Sequence, residues 1–379
     1  GLLKINIKVL EFNVNNIKPE YVYIIGNAYK DDFIEVKEIK KQGYEHYYYH
    51  DFISKLDGFH IAISGTHGKT TTTKMIADML SDEPISCLIG TGYGMGKKDY
   101  KYLIYEACEY QDHFLVYRPD ILVINNIELD HPDYFNSITD VYDSFKKLSK
   151  QSKKVIINVD EKIKKDEHFV CYGNTNSDYV YKIIEENQNG YIIDINGEKF
   201  TLPFFGKHMI NNFLSAYVVL KTIGYNDDYI RERISYIKLP KRRMEEEKIG
   251  EQIIIQDYAH HPTEIKSLYD SISQKYPNIP ITVLFQPHTY SRTLALSSSF
   301  VSSLLFFDEV YILPTFTSSR ETYNKTLQKQ VDNIFKDFKC VKTIDEVKFK
   351  SDKRIYVFLG AGEVFRYIKN LKEYMDENN

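Results

Sequence analysis

A glycine-rich loop constrains this chain more than any other feature of its sequence. The loop joins a β-type segment, residues 60–64, to a helix whose apolar face holds Met75, Ile76, Met79 and Leu80. Its residues are Gly65, Thr66, His67, Gly68, Lys69, Thr70 and Thr71. Backbone N–H groups at a helix start point at a bound anion, and the helix dipole favours negative charge there. The loop therefore predicts a nucleotide-phosphate site, with ATP as the expected ligand, Lys69 on the phosphates and Thr70 offering a hydroxyl to Mg²⁺.

The loop departs from the strict phosphate-binding pattern at one position. The pattern G-x-x-x-x-G-K-[ST] requires glycine at position 63, where this chain has Ile63. The alternative interpretation is a solvated Gly-Lys-Thr turn without function. It is disfavoured because strand, loop and helix occur in the order that a phosphate site requires. The Lys69 side chain is expected to be exposed on this loop.

Size and composition limit the class of protein. The 379 residues predict two or three domains. Lys and Arg total 49 against 53 for Asp and Glu, a balance that argues against a dedicated nucleic-acid-binding protein. No apolar run reaches the roughly 18 residues that span a bilayer, so no membrane association is expected. The four cysteines form no C-x-x-C pair and are expected to be free thiols, which favours a cytoplasmic location.

Hydrophobic periodicity predicts three domains, 1–58, 59–238 and 239–379. The first domain has predicted strands at residues 4–12, 21–25 and 44–49 and a helix at residues 34–42, but no phosphate loop of its own. The second and third domains alternate strands with helices, which predicts α/β domains on mostly parallel, doubly wound sheets. Residues 179–202 interrupt the alternation, because two Asn-Gly pairs between apolar runs predict a small antiparallel meander.

Acidic residues follow two of the predicted strands. Glu106 ends one strand, and Glu128, Asp130, His131 and Asp133 follow the next one. Ligands bind outside the carboxyl ends of parallel strands, so both groups are expected near the phosphate loop. Oxygen ligands suit Mg²⁺, although a histidine is a less usual ligand for this ion. The alternative, a charged surface loop, is disfavoured by the neighbouring phosphate loop.

Histidines and arginines gather at other predicted strand ends. They occur at Arg242-Arg243 and in the segments DYAHHPTE (257–264) and FQPHTYSR (285–292). Each segment alone reads as a capped helix start, but together they favour an anionic substrate. His208 and Asn212 stand four residues apart at the start of the helix after the meander, where spacing alone does not decide between binding and ordinary helix structure.

These motifs, in this order, resemble those of the Mur ligases of peptidoglycan synthesis. The resemblance covers essentially the whole chain, and DYAHHPTE and FQPHTYSRT are its most specific segments. The matching segments are GTHGKTTTT (65–73), YEACEYQDHFL (105–115), NNIELDHPDYF (125–135), GKHMINN (206–212), KRRMEEE (241–247), DYAHHPTEI (257–265), FQPHTYSRT (285–293) and FLGAGEV (358–364).

The resemblance implies a three-domain α/β architecture. It comprises a Rossmann-like UDP-binding N-terminal domain, a central ATPase domain and a Rossmann-like C-terminal domain that binds the amino acid. Within the family, the chain is most similar to Gram-positive ligases that join L-alanine to the lactyl carboxylate of UDP-N-acetylmuramate through an acyl phosphate. ATP and Mg²⁺ are the implied cofactors, and a monomer or homodimer is expected. Two alternatives stay open: a recycling ligase that adds a peptide to the same nucleotide, and a nucleotide-binding protein without ligase activity.

The resemblance also implies roles for the matching residues. Nucleotide contacts are implied for Gly65, Thr66, His67, Gly68, Lys69, Thr70, Thr71, His208, Asn212, Arg243 or its neighbour Arg242, and Asp257. Metal ligation is implied for Thr70, Glu106 and His131. Catalytic or substrate-positioning roles are implied for Lys69, Glu106, His131, His260 (or His261 as the general base) and Arg292, with His288 near the L-alanine end.

Two departures from the family pattern are visible. Gly206-Lys207-His208-Met209 stands where relatives have Gly-Arg-His-Asn. The family's G-x-G-G-x-G-M-S turn, which binds UDP, is absent from residues 1–58. The chain is therefore expected to begin a few dozen residues into the first domain and, as it stands, to bind ATP but to bind UDP-N-acetylmuramate poorly.

Overall fold

The computed structural model describes residues 10–27, 29–90, 93–317 and 321–378. Tertiary contacts divide the chain into two compact units, Gly1–Asp57 and Gly58–Asn379. Among the described residues, no helix is both long enough and apolar enough to cross a bilayer.

The first unit is a small α/β segment. Its elements are β1 (Tyr23–Ile25), α1 (Ile34–Gln42), β2 (His46–Tyr48) and α2 (Tyr49–Ser54). The two strands pair in parallel. Gly43 ends α1 in the left-handed conformation that favours glycine, as the sequence predicts. Of the strand predicted at residues 4–12, residues 4–9 lie outside the described part of the chain, and residues 10–12 are not in a strand.

A ten-stranded sheet forms the larger half of the second unit. Its strands are β3 (Phe59–Ser64), β4 (Ile85–Ile89), β5 (Tyr93–Met95), β6 (Tyr102–Glu106), β7 (Ile121–Ile124), β8 (Lys154–Asn158), β9 (Phe169–Gly173), β10 (Tyr179–Asn187), β11 (Gly190–Ile195) and β12 (Glu198–Leu202). The spatial order is β12-β11-β10-β9-β8-β7-β3-β6-β4-β5. The neighbours from β4 through β10 pair in parallel. The carboxyl ends of β3, β6 and β7 therefore meet at one edge.

Four helices accompany this sheet: α3 (Lys69–Met79), α4 (Ile138–Lys150), α5 (Lys207–Thr222) and α6 (Asp227–Arg233). Apolar side chains of α3 and α5 pack with Ile61 and Ile63 of β3 in one buried cluster. Each such fully buried side chain contributes about 1.5–3 kcal/mol. Ser137 caps α4 in a reciprocal capping box with Asp140, the serine-to-acid spacing that is typical of a helix start.

The predicted meander is present, but it does not stand apart from the sheet. Strands β10, β11 and β12 are antiparallel neighbours. Asn196 and Gly197 turn between the last two with φ of 50° and 94°, the left-handed pair that a tight hairpin requires. However, β10 also pairs in parallel with β9, so the meander extends the large sheet.

A second, six-stranded sheet forms the rest of the unit. Its strands are β13 (Glu245–Ile249), β14 (Gln252–Asp257), β15 (Ile281–Phe285), β16 (Glu309–Ile312), β17 (Lys339–Cys340) and β18 (Ile355–Leu359). Its helices are α7 (Pro262–Lys275), α8 (Tyr290–Ala295), α9 (Ser297–Leu304), α10 (Lys325–Ile334) and α11 (Ile368–Asn378). The order is β13-β14-β18-β15-β16-β17. Within the described residues of this sheet, only the β13–β14 pair is antiparallel, so the predicted mostly parallel sheet is confirmed.

Candidate active site

The phosphate-binding loop connects β3 to α3 and is shaped by its two glycines. Gly65 and Gly68 have φ of 127° and 79°, which residues with side chains rarely adopt. A Cβ atom at Gly68 would lie 2.3 Å from Oδ1 of Asn212 on α5. A Cβ at Gly65 would lie 3.1 Å from the backbone nitrogen of Asn125. Glycine is therefore required at both positions for the loop to pack against its neighbours.

Lys69 begins α3, and its ammonium group is enclosed. The side chain is 15% exposed, and Nζ donates to Glu109 Oε2 at 3.0 Å and to the Thr66 carbonyl at 3.1 Å. Burial alone lowers the pKa of this lysine, but the charge and hydrogen bond of Glu109, together with Cys108 and Glu106, outweigh burial and raise the pKa above its usual range. The prediction of an exposed lysine is wrong, because the loop carbonyls and Glu109 surround the ammonium group.

Thr70 and Glu106 meet directly beside Lys69. Thr70 Oγ1 donates to Glu106 Oε2 at 3.0 Å, and Glu106 Oε1 accepts the N–H of Gly90 at 2.5 Å. His131 reaches the same region through Glu109, with 3.7 Å between His131 Nε2 and Glu109 Oε1. Hydroxyl and carboxylate oxygens at the edge of a phosphate loop are the donor set that Mg²⁺ prefers. The three predicted metal ligands thus lie on the same sheet edge as Lys69.

A cavity of about 450 Å³ adjoins the phosphate-binding loop, between the loops of the two sheets. Seven of the predicted nucleotide contacts line it: His67, Gly68, Thr71, His208, Asn212, Arg243 and Asp257. Burial, followed by the nearby Arg243 guanidinium, lowers the pKa of His208 to about 4, so this imidazole is neutral near pH 7. Cavities of this size commonly bind small molecules.

The structure places Arg242 and Arg243 in different surroundings. Arg243 lines the cavity, with its Nη1 3.6 Å from Glu264 Oε1. Arg242 instead donates to the carbonyls of Gly360 and Gly362 at 2.6 Å and 3.1 Å. Asp257 accepts the N–H groups of Ala259 and Met244 at 2.8 Å and 2.7 Å, which orders the loop after β14. Arg243 is therefore the arginine of the pair placed to meet a ligand.

His67 is held between two carboxylates. Its Nδ1 lies 3.4 Å from Glu264 Oε1, and its Nε2 lies 3.6 Å from Glu128 Oε2. Burial alone lowers the pKa of His67, but the two carboxylates outweigh it and raise the pKa to about 9. Thr263, at the start of α7, donates its hydroxyl to Glu128 at 2.7 Å. These contacts join the loops of the two sheets.

Arg292 and His260 lie in the smaller sheet's half of the site. The Arg292 guanidinium binds the Asp130 carboxylate with two hydrogen bonds, at 2.8 Å and 3.2 Å. The His260 ring faces that of His288, with centroids 5.7 Å apart. Burial, followed by the Arg292 charge, lowers the pKa of His260 to about 3, which leaves its ring neutral near pH 7. His261 instead caps α7 by accepting the Thr263 N–H at 3.3 Å.

Comparison with known proteins identifies the family. Residues 63–220 match the model of the Mur ligase middle domain. A UDP-N-acetylmuramate–L-alanine ligase of Lactococcus lactis subsp. cremoris (strain SK11) is 36% identical over 386 residues, which cover 97% of this chain and 87% of that protein. The chain belongs to the Mur ligase family.

Solved structures support the Mur ligase fold. The UDP-N-acetylmuramate–alanine ligase of Thermotoga maritima superposes with a TM-score of 0.80 at 22% identity, covering 97% of this chain and 88% of that one. A MurF ligase from the same organism, solved in complex with ADP, superposes with a TM-score of 0.71 at 15% identity and covers 97% of both chains. The α/β architecture expected of a Mur ligase is thereby confirmed.

Glu109 is the site residue that sequence reasoning missed. It is 2% exposed and contacts both Lys69 and His131 in this Mur ligase. A signal was available, because Glu109 follows β6 three residues after Glu106, at the edge where ligands bind. Glu264, in the DYAHHPTE segment, has no role predicted from sequence either, yet it lies beside His67 and Arg243.

Proposed function

We propose that this Mur ligase joins L-alanine to the lactyl carboxylate of UDP-N-acetylmuramate, using ATP and passing through an acyl phosphate. One observation carries the proposal: Lys69 stands beside the Thr70–Glu106 pair at the rim of a cavity lined by His208 and Arg243. The L-alanine ligase from Lactococcus lactis, aligned over 97% of this chain, supports this choice of substrates. ATP and nucleotide-activated sugars are cytoplasmic metabolites, so we expect the enzyme to act there.

The first step transfers a phosphoryl group. An oxygen of the lactyl carboxylate attacks the γ-phosphorus of ATP, the bond to the β-phosphate oxygen breaks, and ADP leaves. Lys69, which pairs with Glu109, would turn its ammonium group toward the transferring phosphoryl group. Thr70 and Glu106, with His131 nearby, would hold Mg²⁺, which neutralises phosphate charge when bound. Activation is needed because a carboxylate is a poor electrophile.

The second step forms the amide. The amine of L-alanine attacks the acyl carbon, loses a proton, and expels phosphate. His260 is the proposed base: its ring is neutral, and a bound anionic acyl phosphate would offset the Arg292 charge that lowers its pKa. Its Nδ1 lies 3.1 Å from the Tyr258 carbonyl, so Nδ1 carries the ring hydrogen and Nε2 accepts the proton. Arg292 and His288 stand beside it and would position the anionic intermediate.

A substrate panel tests the proposal. Phosphate release is measured with ATP, Mg²⁺ and UDP-N-acetylmuramate, adding either L-alanine or the cell-wall tripeptide, with Lys69→Ala as the control for contaminating ligase. Release that depends on L-alanine, together with a product heavier by one alanyl residue, is the expected result. Release with the tripeptide alone would identify the recycling ligase. ATP binding without either product would identify a nucleotide-binding protein that lacks ligase activity.

A further inference from the structure

Three side chains that commonly bind metals converge outside the Thr70–Glu106 pair. They are His67, Glu128 and His261, and one ligand atom from each lies within 4.8 Å of the other two. Glu128 Oε2 is 3.6 Å from His67 Nε2 and 3.9 Å from His261 Nδ1. The two imidazole rings are tilted, with centroids 4.6 Å apart. The cluster is compact enough for one ion.

The imidazole nitrogens of this cluster make few hydrogen bonds. Within the part of the chain that the structure describes, Nε2 of His67 and Nε2 of His261 are buried and have no hydrogen-bond partner. His261 Nδ1 accepts only the long 3.3 Å bond from Thr263 N–H, so it carries a lone pair. Buried polar atoms without partners cost free energy and are uncommon in folded proteins. A bound cation would engage the free His67 nitrogen and replace the weak bond at His261 Nδ1.

The surroundings favour positive charge and orient the ligands. Glu264 Oε1 lies 3.4 Å from His67 Nδ1, on the ring nitrogen opposite the cluster. A carboxylate that holds the far nitrogen of a histidine fixes the ring and strengthens its basicity as a metal ligand. Thr263 donates its hydroxyl to Glu128 Oε2, which holds the third ligand in place. Glu128 and Glu264 place carboxylate oxygens on both sides of the His67 ring, and their charges attract a metal cation.

We propose that His67, Glu128 and His261 form a binding site for a divalent transition-metal ion of the zinc class, with Glu264 orienting His67. Two imidazoles and one carboxylate suit Zn²⁺ or Co²⁺, whereas Mg²⁺ prefers oxygen ligands alone. Ligand atoms around tetrahedral zinc stand about 3.3 Å apart, given bonds of about 2.0–2.1 Å. The separations of 3.6 Å and 3.9 Å need only a small contraction.

The site joins two parts of the fold. His67 lies in the loop after β3 and Glu128 in the loop after β7, both in the large sheet, whereas His261 caps α7 beside the smaller sheet. An ion held by all three links the loops on either side of the active-site cavity. Because the ion binds the folded chain through both halves, it stabilises the folded state by mass action.

Metal binding to the full chain tests the proposal directly. Zn²⁺ is titrated at pH 7.5 against a chromophoric chelator, with millimolar Mg²⁺ present to occupy the Thr70–Glu106 region. We expect one tightly bound Zn²⁺ per chain, a rise in the thermal midpoint, and X-ray absorption showing two imidazole ligands. His261→Gln is expected to weaken Zn²⁺ binding at least tenfold, and Glu264→Gln about tenfold through loss of ring positioning.

Matched histidine variants separate this site from others. His131→Gln removes a residue of the magnesium region, and His168→Gln removes a partly exposed histidine paired with Asp166. Both variants are expected to keep the wild-type zinc affinity. Zinc affinity that survives in a folded His261→Gln chain, or that is lost in His131→Gln, would overturn the proposal. If His261→Gln fails to fold, X-ray absorption of the wild-type zinc complex decides, because fewer than two imidazole ligands, or no bound zinc, contradicts the site.

Discussion

Arg292 and Asp130 form a buried, bidentate ion pair between the loops of the two sheets, although 162 positions separate them in sequence. Their side chains are 4% and 8% exposed. Burial alone raises the pKa of Asp130, but the charge and hydrogen bonds of Arg292, with His131 nearby, together outweigh burial and hold the pKa well below its usual range. The pair is therefore charged at neutral pH and fixes Arg292 where the second half of the reaction would occur.

Removing one partner of this pair should destabilise the protein. Arg292→Gln leaves Asp130 buried without its cation, which costs about 3–5 kcal/mol and lowers the thermal midpoint by roughly 5–10 °C. In the double variant with Asp130→Asn, much of that loss should be recovered. Differential scanning calorimetry of both variants measures the effect, with exposed Arg366→Gln as a control expected to shift the midpoint little. Equal midpoints for Arg292→Gln and wild type would contradict the buried pair.

Lys69→Ala should abolish ligation and also weaken the fold. Loss of a charge that stabilises the transferring phosphoryl group is expected to lower turnover at least about 100-fold. Because the lysine also pairs with buried Glu109, the variant should melt at a lower temperature. Adding Glu109→Gln should restore the midpoint but not the turnover. Lys74→Ala, which removes a lysine paired with Asp78 on the same helix, is the matched control and should keep its turnover. Restored turnover in the double variant would argue against a role for Lys69.

Glu106→Gln should change the dependence of turnover on Mg²⁺. The substitution keeps the shape of the side chain but removes the charge beside Thr70, so a higher Mg²⁺ concentration should be needed for half-maximal turnover. Turnover is titrated against Mg²⁺ at saturating ATP. Exposed Glu232→Gln serves as the control. An unchanged Mg²⁺ requirement would place the metal elsewhere.

The stability of the fold should fall at alkaline pH because of His67. Its pKa is raised to about 9 in the folded chain, against an ordinary value of about 6.5 when unfolded. The stabilisation is therefore complete below about pH 6.5 and lost as pH rises through 9. It amounts to roughly 3 kcal/mol. Thermal midpoints from pH 6 to 10 should fall more steeply for wild type than for His67→Gln, and parallel curves would contradict the assignment.

Local features of this fold were predictable from sequence, whereas contacts across the chain were not. Residues 65–71, the capping box at Ser137 and the Asn-Gly turns depend on neighbours only a few positions away. Strands such as β9 and β13 were missed, because pairing with adjacent strands rather than local periodicity defines them. The Arg292–Asp130 pair is hidden because its two residues lie far apart in sequence. The role of Glu109 in the site was equally hard to predict from sequence, because Glu109 pairs with Lys69, which lies 40 positions earlier.

Isotope transfer tests the central claim of an acyl phosphate most directly. The substrate is UDP-N-acetylmuramate with ¹⁸O in both oxygens of its lactyl carboxylate. It is incubated with the chain, ATP, Mg²⁺ and L-alanine, and the masses of all products are measured by mass spectrometry. The account predicts one ¹⁸O in the released phosphate and one in the new amide. Three results would contradict an acyl phosphate intermediate. They are ¹⁸O in AMP, an amide product formed together with unlabelled phosphate, and the absence of any alanyl product.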